Sequence, residues 1–223
     1  MIKAIIFDLD NTLIDFMKMK RLSCEEAISA MIDAGLPMEK EPAIKRLFEL
    51  YEELGIEHQH IFEVFLKEVM GKIDWKILAA GVVAYRRIKA SFLEPYPHTV
   101  ATLLELKQRG IKLAILSDAS NFEAHTRLAA AKLMPFFDVI LTHDDTESYK
   151  PDEKTFLRAL KELGVKAEDA LMVGDWAERD IDGAKKVGMR TAYAKYGAVR
   201  DSDVEADVVL DSIKGILKAL HAS

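Results

Sequence analysis

The chain has 223 residues, is 50% hydrophobic and 30% charged, and carries a formal net charge of −6. That suits one large or two small domains with enough apolar material for a core. A mildly acidic chain without a long Lys/Arg run is not a general nucleic-acid binder. No stretch approaches the about 18 apolar residues that span a bilayer, so no membrane partner is expected.

Cys24 is the single cysteine, which excludes an internal disulfide and points to a reducing, cytoplasmic setting. It shares a helical face with Ile28, Met31 and Ile32 and reads as core filler. The apolar start is cut short by Asp8, which argues against a secretory leader. Amides are scarce (Asn11, Asn121, Gln59, Gln108) and Lys and Glu abundant, which leans toward a heat-adapted source.

Taken in chain order, residues 3–7 (KAIIF) predict a strand buried on both faces. The next residues, DLDNT, place Asp8 and Asp10 two apart, so in extended chain both face one side at the strand's carboxyl end. Two such charges repel unless a cation or a shared proton lies between them. From about residue 16 to 92 the pattern is helical, with apolar stripes ending near Gly35, Gly55, Gly71 and Phe92. Phe48, Tyr51, Phe62 and Phe65 read as the core of this insert. His58 and His60 read as exposed loop residues. The prolines of EPYPHT (94–99) mark a boundary.

Beyond it helices and strands alternate. Helices are expected over 98–109, 121–133, 152–163, a short segment ending near Gly188, and from Ser212 onward. Strands are expected at 111–116, 138–141, 170–173, 189–193 and 207–210. The fold class that follows is α/β, a doubly wound, mostly parallel sheet with an inserted all-helical domain. Its expected domains are 1–15 with 95–223 as the α/β core, and 16–94 as the helical insert. Ligands gather beyond the carboxyl ends of such strands.

Each strand end brings polar groups to that rim: Asp8 to Thr12, Ser117 to Asn121, Lys150-Pro151-Asp152, and Asp175 to Asp180. Asp8, Asp10 and Asp175 suit a hard cation such as Mg²⁺, which takes oxygen ligands and commonly a substrate phosphate. Ser117 and nearby backbone N–H groups can donate to phosphate oxygens, and Lys150 can offset the gathered negative charge. Taken alone, Ser117 could equally be a helix N-cap.

DLDNT, LSD, KPD and GDWAERD, in this order, resemble the four motifs of the haloacid dehalogenase-like hydrolase superfamily, and the insert resembles that family's cap. The resemblance implies a Mg²⁺-dependent phosphatase of small phosphorylated metabolites, phosphoglycolate or glyceraldehyde 3-phosphate among them. It implies Asp8 as nucleophile, Asp10 as general acid and base, and Lys150 as a partner of both nucleophile and phosphate. Phosphate binding falls to Asn11, Ser117, Asp118 and Lys150. The metal falls to Asp8, the Asp10 carbonyl and Asp175. Thr12 braces the loop, and Asp180 supports the site from behind, toward Lys150 or a water on the ion. On this reading Asp8 and Asp10 tolerate closeness because one serves the metal and the other holds the proton.

Two positions depart from the family pattern. Asp118 stands where asparagine is common, so its carboxylate must turn away or take another job. Trp176 stands where a smaller residue is usual and is expected to pack under the cap. Competing readings are a phosphosugar mutase, which shares all four motifs, and a non-catalytic metabolite-binding protein. A haloacid dehalogenase lacks the second aspartate, and a signalling receiver domain lacks the insert. The oligomeric state is not read from the sequence.

Overall fold

The β1 strand Ala4–Phe7 is buried on both faces, as a central parallel strand requires. The computed structural model describes residues 1–200, 202–203 and 205–220. Among these, six strands form one parallel sheet: β1, β2 (Lys112–Leu116), β3 (Val139–Leu141), β4 (Ala170–Gly174), β5 (Arg190–Tyr193) and β6 (Val208–Val209). Their order is β3-β2-β1-β4-β5-β6. The chain therefore reverses its winding between β1 and β4. In such sheets ligands collect at that switch point, outside the strands' carboxyl ends.

Alternation along β1 feeds two cores. Ile5 and Phe7 join Leu103, Leu113, Ile115 and Val173 on one face. Ala4 and Ile6 join Phe156, Leu160 and Met172 on the other. The covering helices include α5 (Thr99–Gln108), α6 (Asn121–Ala130), α8 (Glu153–Leu163) and α9 (Asp182–Lys186), with a four-residue α7 (His143–Thr146) that the sequence pattern does not announce. The last helix, α10 (Gly215–Ala219), begins later than Ser212, and its expected continuation over 221–223 lies outside the described residues.

The chain divides into two compact units, Met1–Met17 with Leu93–Ser223, and Lys18–Phe92. Within the first, the segments flanking the insertion pair with each other: Asp15 N–H donates to Glu94 O (3.1 Å) and Tyr96 N–H to Leu13 O (2.9 Å). The second is helical. It contains most of α1 (Phe16–Asp33), then α2 (Lys40–Leu54), α3 (Ile61–Met70) and α4 (Trp75–Ser91). Gly71 ends α3 in the left-handed conformation, φ 72°, which glycine adopts without a Cβ penalty. Cys24, Ile28, Met31, Leu47, Tyr51, Phe62 and Phe65 form its core, with Phe48 and Ile32 packed at the margin. Burial pushes the Cys24 thiol up to about 11, which suits a packing residue and not a nucleophile. Exposed His60 meets only its neighbour Glu63 at 3.1 Å among the recorded ion pairs. No helix among the described residues is long and apolar enough to cross a membrane.

Candidate active site

The strand β1 ends in a tight loop built by its own residues. Asn11 takes φ 60°, a left-handed conformation that asparagine tolerates better than most residues. Its side-chain oxygen accepts from Met17 N–H at 3.0 Å, and its own N–H donates to Ile14 O at 2.8 Å. A later segment clamps the same loop. Tyr196 donates its hydroxyl to Thr12 O at 2.7 Å, and a Cβ on Gly197 would lie 1.6 Å from Asn11 O, so only glycine allows that approach. Nothing in the pattern around residues 196 and 197 signals this brace, because its partner lies more than 180 residues away in sequence.

The loop presents Asp8 to a group assembled from the segments after three strands, β1, β3 and β4. Lys150 Nζ, 4% exposed, donates to Asp8 Oδ1 at 2.6 Å and to Asp180 Oδ1 at 2.7 Å. Thr12 Oγ1 reaches Asp175 Oδ1 at 3.2 Å and Asp8 Oδ2 at 3.4 Å. Asp8, Asp175 and Asp180 each offer a carboxylate oxygen within 4.8 Å of the others. Thus Asp180, expected behind the ligands, stands in the carboxylate cluster itself.

The electrostatics follow from two buried acids and one half-buried acid gathered around one ammonium. Burial, then Asp8 and Asp180, push the Asp175 carboxyl up to about 9, against the pull of Lys150 and the Thr12 hydrogen bond. Burial pushes Asp180 up to about 7; Lys150 opposes and Asp8 adds to the rise. Burial alone would discharge Lys150, but Asp180, Asp8 and Asp118 outweigh it and hold the ammonium above its ordinary value. The cluster therefore gathers hard oxygen donors whose full ionisation a single ammonium does not balance. That donor set fits a divalent cation of the Mg²⁺ or Ca²⁺ type.

The sign of the resulting pH dependence is set by raised acids. In the fold Asp175 and Asp180 keep protons that the unfolded chain, at the ordinary 3.8, has released. Their stabilising contribution is complete below about 3.8 and is lost as pH rises through about 7 and then about 9. Metal-free protein should therefore melt at progressively lower temperature from about pH 5 to about pH 9. Magnesium should restore more stability at the upper end, a trend that differential scanning calorimetry reads directly.

The turn after β4 is a π-helix, Ala177–Ile181, a wider winding than the short ordinary helix the spacing suggests. It brings Asp180 back over the strand end: Asp180 N–H donates to Trp176 O at 2.8 Å, and Asp180 Oδ2 accepts from Trp176 N–H at 3.0 Å. Gly174 makes room for it, since a Cβ there would sit 2.2 Å from Asp180 Oδ2. Gly174→Ala should displace Asp180, cost about 1–3 kcal/mol by overpacking, and lower turnover. Thermal melts beside steady-state kinetics check both effects.

The remaining sequence candidates fall as follows. Ser117 lies buried at the end of β2, its hydroxyl accepting from Ala119 N–H at 3.2 Å. It is not the N-cap of α6. That place belongs to Ser120, whose side chain accepts from Glu123 N–H at 3.3 Å. The Asp118 carboxylate accepts from Lys150 N–H at 2.9 Å and pairs with Arg179 at 3.1 Å, so it anchors the loop carrying Lys150. Trp176 is sandwiched within its own unit by two guanidiniums, Arg179 at 3.9 Å and Arg200 at 4.2 Å from the ring centre.

Asp10 departs most from expectation. Its carboxylate forms an ion pair with Arg127, a residue only 3% exposed on α6. Asp8 and Asp10 are thus compensated by different cations, Lys150 and Arg127. The sequence does carry a signal for Arg127: it falls on the apolar stripe of α6 with Ala124 and Leu128, where a lone charge needs a partner.

Residues 5–194 match the family model described as haloacid dehalogenase-like hydrolase. The chain belongs to that family. It is 36% identical over 219 residues to the glyceraldehyde 3-phosphate phosphatase of Methanocaldococcus jannaschii, covering 97% of this chain and 96% of the relative. It is also 36% identical to the enzyme of that name from Pyrococcus furiosus, over 99% and 93% of the two chains. A haloacid dehalogenase-type phosphatase from Thermococcus onnurineus has the same fold, with a TM-score of 0.72 and 27% identity over 98% of both chains.

Proposed function

We propose that this hydrolase is a Mg²⁺-dependent phosphatase of small phosphorylated metabolites, working through an aspartyl-phosphate on Asp8. The observation that supports it is the group of three carboxylates bridged by Lys150 at the sheet's switch point. Full-length relatives named for glyceraldehyde 3-phosphate favour a short phosphorylated aldehyde or acid as substrate.

In this reading an Asp8 carboxylate oxygen attacks phosphorus, and the bond from phosphorus to the substrate oxygen breaks. Asp10, which must be in its protonated form at this step, gives that proton to the leaving alkoxide. Asp10 then takes a proton from water as that water attacks the phosphorus, returning Asp8 as carboxylate and releasing inorganic phosphate. Lys150 holds Asp8 in line and offsets charge on the phosphoryl oxygens; Ser117 and neighbouring N–H groups donate to them. Asn11 and Asp118 shape the two loops that face the phosphate. Asp8, Asp175 and the Asp10 carbonyl would hold the cation, with Asp180 beside them, and a divalent cation there would supply positive charge to the phosphoryl oxygens. The helical unit, residues 16–94 in outline, serves as the cap that chooses the substrate. The single buried cysteine favours a reducing, cytoplasmic setting.

Incubation with glyceraldehyde 3-phosphate and MgCl₂ should release inorganic phosphate, and EDTA should stop it. Conversion of a sugar phosphate to its isomer without free phosphate would point instead to a mutase. Tight binding with no turnover of any phosphate ester would point to a binding protein.

A further inference from the structure

The Arg127–Asp10 pair is built with more support than a chance contact. The guanidinium is fixed on three sides. Nη1 donates to Asp10 Oδ2, Nη2 reaches Glu123 Oε2 at 3.4 Å, and the Phe16 ring centre lies 4.6 Å from Cζ. A planar fork held this way presents its donors in a fixed plane, which a lysine on a flexible stem cannot do. Arg127 comes from α6, after β2, so it is independent of the β1 loop it grips.

That grip matters because Asp10 follows Asp8, a member of the carboxylate cluster, by two residues in the chain. The Asp10 side chain is not among the three carboxylates that converge there. A carboxylate so close to a divalent cation is drawn toward it by charge alone. An Asp10 side chain that entered the coordination sphere would be lost to proton transfer.

We propose that Arg127 is the positioning residue for Asp10: by binding Oδ2 it keeps the carboxyl out of the cation cluster and aims Oδ1 at the oxygen that leaves phosphorus. The inference rests on the phosphatase reading above and deepens it, since it names what orients the acid. Arg127 touches neither substrate nor phosphate in this role. It acts through Asp10.

The test uses leaving groups that differ in their need for a proton. A simple alkyl phosphate expels an alkoxide, which must be protonated as the bond to phosphorus breaks. p-Nitrophenyl phosphate expels a stabilised phenolate that departs without a proton. The value of kcat/KM reports the steps through phosphoenzyme formation, so the ratio of alkyl to aryl kcat/KM isolates the acid. Taken within one preparation, the ratio is untouched by any fraction of unfolded protein. Arg127→Met should lower that ratio at least about tenfold, a partial loss of the about 10²–10⁴-fold that a positioned general acid contributes. Arg127→Lys, which keeps the buried charge opposite Asp10, should lower it by a smaller factor in the same direction.

A ratio unchanged in both variants, with the two esters slowed equally or not at all, overturns the proposal and leaves the phosphatase reading standing. A rise in the ratio overturns it too, because Arg127 would then be restraining the acid. If the unaltered protein hydrolyses neither ester in MgCl₂, the phosphatase reading itself has failed.

Discussion

Asp8→Asn is expected to lose phosphatase activity by a factor of at least about 10⁴ while folding as well as the parent protein. The activity loss follows from the chemistry: an amide oxygen is a far weaker nucleophile than a carboxylate, and no second step can proceed without the first. The stability expectation follows from charge. Burial and Asp8 both raise the carboxyls of Asp175 and Asp180, so removing one negative charge relieves the two that remain. The asparagine oxygen can still accept from Lys150, which now lies 2.6 Å from Asp8. Activity assays paired with calorimetry in metal-free buffer at about pH 8 should separate the two effects. A variant that is inactive because it is unfolded would show both quantities falling together.

Lys150→Met should be damaging in both respects. Lys150 is the ammonium that Asp8 and Asp180 share, and its backbone N–H ties to Asp118. Removing one partner of a buried ion pair leaves the other charge uncompensated, at a cost of about 3–5 kcal/mol. Here two acids lose their partner together. The fold therefore survives only by keeping those acids protonated, which in turn weakens any cation site they form. We expect Lys150→Met to lose activity by about 10³-fold or more, in line with removing a charge that stabilises the transition state. Its melting temperature should fall more steeply with rising pH than the parent's, and added magnesium should recover part of the loss. Urea denaturation at about pH 5 and about pH 8 reads that difference.

The parts of this molecule that depend on neighbours in sequence were open to reading from the sequence. Strand β1, the four helices of the insert and the alternation after Pro95 all rest on local periodicity and punctuation, and the structure has them within a few residues. The doubly wound, mostly parallel sheet was expected from the same alternation, but its strand order was not, because local patterns do not say which strands pair. The strand-end position of Asp8, Ser117 and Asp175 follows from the same pattern.

What escaped depends on partners far apart in the chain. Arg127 meets Asp10 across 117 residues, and Tyr196 meets Thr12 across 184. Periodicity says that Arg127 is buried but not what it faces. The supporting place expected for Asp180, toward Lys150, came from the family resemblance, and Asp180 does meet Lys150 at 2.7 Å. The π-winding of Ala177–Ile181 and the missing Cβ of Gly174, which no local pattern announces, also set its carboxylate beside Asp8 and Asp175. Ser117 looked equally suited to capping α6, yet the cap falls three residues later because the chain first turns through Asp118 and Ala119.

The account stands or falls on a phosphoryl group passing through Asp8. The most direct measurement is rapid acid quench of the enzyme mixed with p-nitrophenyl phosphate and MgCl₂, followed by peptide mass spectrometry. The peptide containing Asp8 should gain the mass of one PO₃ group during turnover, lose it on mild alkaline treatment, and never gain it in Asp8→Asn. Sustained phosphate release with no such adduct, and with Asp8→Asn as active as the parent, would contradict it.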